Sequence, residues 1–111
     1  MGRRPDASVK MHNWWAGPLF QAAVRQIDPA ASHASWMENF PWTRLEGVAM
    51  PDIVKPPFDA ALYQAANPQR KREILGDGNL HGRYQRPDAE MLRVWTVGVE
   101  ETRAAMAESW P

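Results

Sequence analysis

Three histidines, thirteen carboxylates and no cysteine set the chemistry open to this 111-residue chain. Without cysteine there is no disulfide framework, no thiolate zinc site and no thiol nucleophile. His12, His33 and His81 remain as acid–base groups or metal ligands, but no two stand at a ligand spacing such as i, i+4. A complete metal site within the chain is therefore not expected. His33 and Glu38 are the acid–base candidates. On a helix they would lie about 140° apart around the axis, so helical spacing alone does not pair them. A structural pairing and a proton-transfer role both stay open for them. The loop Gly76-Asp77-Gly78-Asn79-Leu80-His81-Gly82 is rich in glycine but lacks the Gly-Lys-Ser/Thr ending of a phosphate-binding loop. Its Gly-Asp-Gly also fails the dinucleotide pattern. Arg70-Lys71-Arg72, followed by Glu73, reads as a solvated helix face.

The elements that must position these groups follow from periodicity and punctuation. Ser8 to Trp15 partly alternates, which predicts a short strand. Leu19, Phe20, Ala23, Val24 and Ile27 fall at helical spacing after Pro18, which suits a first helical turn. Asp28-Pro29 ends that helix. Residues 30–40 predict a short helix stopped by Pro41. Residues 41–57 hold five prolines or glycines and predict a loop, whose apolar side chains should dock on the body of the protein. Phe58 to Ala66 gives one or two helical turns. Asn67-Pro68 starts a helix that Gly76 stops. Pro87 opens the longest helix, Asp88 to Ser109, with Met91, Val94, Trp95, Gly98, Val99, Thr102 and Met106 as its inner stripe.

A single strand cannot make a sheet. The fold is thus either mainly helical with an extended arm or the tail of a larger α/β protein. Composition allows one domain at most. Lysine plus arginine balance aspartate plus glutamate at 13 each, so nothing global favours nucleic acid or anionic lipid. No apolar run reaches the ~20 residues of a membrane span, and the first residues lack a signal-peptide core. A soluble cytoplasmic protein is expected. Six tryptophans on a small core point to exposed rings, a pocket lining or a subunit interface.

Three segments carry a family resemblance. Ser32-His33-Ala34-Ser35-Trp36-Met37-Glu38-Asn39-Phe40-Pro41-Trp42-Thr43-Arg44-Leu45 resembles the C-terminal motif of the creatininase family of amidohydrolases. Many members carry His-Ala-Gly-Glu-x-Glu-Thr there, and one branch carries the His-Ala-Ser-Trp-Met-Glu-Asn-Phe form found here. Residues 76–88 and Val9 to Trp15 are similar to the same branch. The resemblance implies an α/β fold with a mostly parallel sheet, of which this chain would be the C-terminal part: residues 1–111, mostly helices and long loops with one or few strands. It implies two divalent metals (zinc, manganese or magnesium) in a complete member, and hydrolysis of a small amide or cyclic amide C–N bond. Creatinine, a formamide on a nucleotide precursor and a peptide amide are all cleaved within the family. By resemblance His33 takes the proton-transfer role, and Glu38 orients His33 or a metal-bound water. Trp15 matches an aromatic that helps close the substrate pocket, and Trp36 is assigned to substrate binding with it.

The chain departs from the family in its metal ligands. The Glu-x-His and Gly-His-x-Glu segments are missing, and Pro29 stands where some members place a second pocket tryptophan. No metal residue is assigned, and the cofactor belongs to a complete member only. Two functions follow: an amidohydrolase known here by its C-terminal part and inactive alone, or a non-catalytic homologue that acts as a subunit. An unrelated tryptophan-rich interaction module ranks third. Homo-oligomerisation or association with a complete homologue is expected in either main case.

Overall fold

The computed structural model describes residues 5–110, so Met1–Arg4, part of the predicted N-terminal loop, lie outside the described residues. Four α-helices follow one another: α1 (Pro18–Ile27), α2 (Ala60–Ala65), α3 (Pro68–Leu75) and α4 (Asp88–Ser109). Two-residue strands β1 (Val54–Lys55) and β2 (Gly82–Arg83) pair antiparallel, Val54 opposite Arg83 and Lys55 opposite Gly82. This ribbon is the only sheet among the described residues. The fold is helix-rich, and the parallel sheet expected of a whole family member is not among the described residues.

The core lies between α1 and α4. Phe20, Ala23 and Val24 of α1 meet Met91 and Val94 of α4, and Trp36, Met37 and Phe40 close the end of the pair. The first turn of α1 is capped from a distance. Gly17 at its N-cap has no side chain, and the Glu101 carboxylate of α4 accepts from the Leu19 and Phe20 N–H groups at 2.8 and 3.1 Å. An added Cβ on Gly17 would stand 1.9 Å from that carboxylate, so a larger residue there would push Glu101 off the cap. α3 is capped locally, Asn67 accepting from the Arg70 N–H with Pro68 at the first helical position.

Three sequence expectations are corrected. Residues 8–13 form no strand, because no neighbouring strand supplies hydrogen-bond partners and neither side of the alternation is buried; Val9 and Met11 are almost fully exposed. The segment runs as an extended arm into a 3-10 turn at Trp14–Ala16, and His12 Nε2 lies 3.0 Å from Thr102 Oγ1 of α4. Residues 30–40 are not a helix. Ala34 takes a positive φ of 59°, and only Trp36–Glu38 coil, as a 3-10 turn. The 41–57 loop docks at its two ends: Trp42 lies 4.6 Å from Trp95 and Arg44 binds Asn39 and Asp88 at the start, while Val54–Lys55 pair with β2 and Lys55 reaches the 76–82 loop at the other. Leu45, Val48, Ile53 and Val54 stay exposed.

α4 spans the predicted residues, but its predicted inner stripe is buried only in its first half. Met91, Val94 and Gly98 are covered, whereas Trp95, Val99 and Met106 remain exposed along an open groove.

Candidate functional site

The turn that carries His33 is built by two serines. The Ser35 hydroxyl accepts from the Ser32 N–H at 2.9 Å and donates to the Ser32 carbonyl at 2.6 Å. This reciprocal pair competes with helical hydrogen bonding, which is why residues 32–35 turn instead of coiling. The turn is then fastened to the glycine loop. Ser32 Oγ donates to the His81 carbonyl at 2.6 Å and accepts from the His81 N–H at 3.0 Å, and the Leu80 N–H donates to the His33 carbonyl.

The loop itself is held by Lys55 of β1. Its ammonium donates to the carbonyls of Leu75 and Asn79 and to Asp77 Oδ1. The hydrogen bonds from Lys55 and from the Tyr84 hydroxyl hold the Asp77 carboxyl below its ordinary pKa, and the same contact pushes the Tyr84 phenol up. Gly82 closes the loop at φ 91°, where a Cβ would meet the Ala30 carbonyl oxygen at 2.6 Å.

On this frame His33 and Glu38 come together. Glu38 Oε2 lies 3.4 Å from His33 Nδ1, within ion-pair reach, and also accepts from the Ala34 N–H. The left-handed turn at Ala34 folds the chain back and brings together two residues that a helix would set on different faces. The His33 side chain is 72% exposed and that of Glu38 28%. With Nδ1 facing the carboxylate, Nε2 has no protein partner among the described residues. This is an imidazole oriented by a carboxylate, open to solvent, able to take or give one proton.

The two tryptophans do not join it. Trp36 has no exposed surface; its indole N–H donates to Asp28 Oδ2 at 3.2 Å and the Arg86 guanidinium sits 5.7 Å over its ring. It is a core ring, packed in one cluster with Phe20, Met91 and Val94 and not beside His33 on the surface. Trp15 is half exposed, enters none of the aromatic pairs among the described residues, and contributes its carbonyl to Gln21. Its neighbour Trp14 packs instead, edge-on to Phe20 at 5.2 Å.

Sequence reasoning did not locate a groove of about 1150 Å³ between the 10–14 arm and α4, floored by Trp14, Phe20, Phe40 and Trp95. The unusual tryptophan content was its signal. Neither His33 nor Glu38 lines it. Among the described residues no group of three or more His, Asp or Glu side chains could hold a metal ion. No helix is long and apolar enough to cross a membrane among the described residues. No family model matches the chain, and no curated protein or solved structure matches it either.

Proposed function

We propose that this chain is the acid–base portion of a creatininase-like amidohydrolase acting on a small amide or cyclic amide. The observation that carries the reading is the His33–Glu38 pair, formed inside the 32–45 segment that resembles the family motif. The chain's own residues do not fit the pair of divalent metals of a complete member, since no ligand cluster gathers among the described residues. The work assigned here is therefore proton transfer alone. As water adds to the carbonyl its proton passes to His33 Nε2, and the same nitrogen gives that proton to the departing amine as the C–N bond breaks, while Glu38 holds the ring at Nδ1. The carbonyl-activating half of the site comes from another segment or another polypeptide.

A second reading is supported by the openness of the pair. An imidazole so exposed, and outside the groove beside α4, suits a non-catalytic homologue that docks on a complete enzyme. Amide hydrolysis decides between them. The chain is assayed alone and mixed with a metal-loaded family member, with ammonia or amine release as the readout. Turnover that depends on His33 supports the catalytic reading; binding with unchanged turnover in both wild type and His33→Ala supports the docking reading.

A further inference from the structure

The chain exposes far more surface than a compact domain of its mass. Its accessible area is 8345 Å², against about 6200 Å² for a folded monomer of this size. Its radius of gyration is 17.6 Å, against about 13 Å for a chain of this length. The surplus of about 2100 Å² exceeds the ~800 Å² per partner that a stable complex covers. The uncovered apolar surface includes a stripe on α4: Leu92, Trp95, Val99 and Met106 are between 40% and 58% exposed.

That stripe has a symmetry of its own. At 100° per residue, Leu92, Trp95, Val99, Arg103 and Met106 fall within an arc of about 80°. They are arranged evenly about Val99. Leu92 and Met106 stand seven residues to either side, and Trp95 and Arg103 four residues to either side. A two-fold axis makes this pattern self-complementary, because an isologous interface sets each residue against its mirror position. We propose that α4 pairs antiparallel with α4 of a second copy of this chain, about an axis passing beside Val99.

In that pairing Val99 meets Val99, and Leu92 of one copy meets Met106 of the other. Arg103 lies over the partner's Trp95, a cation on an aromatic face. Arg103 is free to do so: its side chain is 75% exposed and its contact with Glu100 is a loose 3.7 Å. Trp42, packed on Trp95, widens the platform. No carboxylate lines the groove beside the seam, and Asp88, which falls in the same arc at the start of α4, is already paired with Arg44 at 2.6 Å. The inference stands on the surface of α4 and does not depend on the chemistry at His33.

The absence of cysteine makes the test clean. The full chain is examined by sedimentation equilibrium, and Val99→Cys and Leu92→Cys are oxidised mildly. The expected result is a concentration-dependent dimer in which Val99→Cys links to itself and Leu92→Cys does not. In the antiparallel pair the two copies of residue 92 lie about 21 Å apart along the axis. Val99→Glu raises the dimer dissociation constant at least about 100-fold by setting two like charges face to face, with helix content unchanged by circular dichroism. A monomer at all concentrations overturns the proposal, as does a dimer in which Leu92→Cys links as readily as Val99→Cys. Should Val99→Glu fail to fold, the two cysteine variants still decide.

Discussion

Glu101 caps α1 through Phe20, a residue 81 positions earlier in the chain. The long helix thus supplies the acceptor that α1 lacks at its own start, and Gly17 leaves the space for it. Glu101→Ala leaves two N–H groups of the first turn without that acceptor and is expected to cost about 1–2 kcal/mol. Gly17→Ala drives a methyl into the carboxylate and should cost a similar amount. Chemical denaturation of both variants checks this; in the double variant the costs should not add, since one contact is lost in both.

His33→Ala should lower turnover by about 10²–10⁴ in whichever assembly is active, the usual worth of a positioned acid–base group. Glu38→Gln keeps an acceptor for the Ala34 N–H and removes the charge beside Nδ1. It should lower kcat less than His33→Ala does, because the ring loses its charged orienting partner at Nδ1 but keeps its own acid–base nitrogen. An unchanged kcat would show that Glu38 only shapes the turn.

Ala34 sits in the left-handed region at φ 59°. Glycine takes this conformation without the Cβ penalty of about 1 kcal/mol, and its greater freedom when unfolded offsets part of the gain. Ala34→Gly should therefore raise stability by up to about 1 kcal/mol and leave the His33–Glu38 contact in place. Thermal unfolding measures the first, and the His33 ring resonances report the second.

The glycine loop should loosen in acid. Lys55 and Tyr84 hold the Asp77 carboxyl below its ordinary value of 3.8. The folded form thus binds its proton less readily than the unfolded chain. Its stabilising contribution is complete above that ordinary value and is lost as pH falls through the lower folded value. Protection of the residue 76–82 amides against exchange, relative to the unstructured chain at the same pH, should fall below about pH 4. Lys55→Met should exchange fast already at neutral pH and lose most of this acid dependence.

Trp36→Phe keeps a ring in the core but gives up the indole bond to Asp28, at an expected cost of about 1 kcal/mol plus the lost volume. Trp36→Ala opens a cavity beside Met37 and Phe20 and should cost about 3–5 kcal/mol. Denaturant midpoints separate the two. A loss of substrate affinity with unchanged stability in Trp36→Phe would show a binding role that full burial argues against.

Much of the secondary structure was legible in the residues themselves. Pro18 and Asp28-Pro29 bound α1, Asn67-Pro68 and Gly76 bound α3, and Pro87 with the 3.6-residue period bounds α4, because proline geometry, side-chain caps and helical spacing act over a few neighbours. The candidate residues His33 and Glu38 were also visible, by resemblance. The same resemblance offered Glu38 as a group that orients His33, but the geometry of that pairing was not legible. It depends on the Ser32–Ser35 exchange, the left-handed Ala34 and the anchoring of that turn to His81, the last a contact across 49 residues. The same holds for Trp36, whose place in the core follows from Asp28 and Arg86 converging on it, and for the 8–13 arm, whose alternation predicts a strand only if a neighbour exists to pair with it. Local pattern sets what a segment is able to form. Hydrogen-bond partners and burial, which only the folded chain provides, decide which of those forms it keeps.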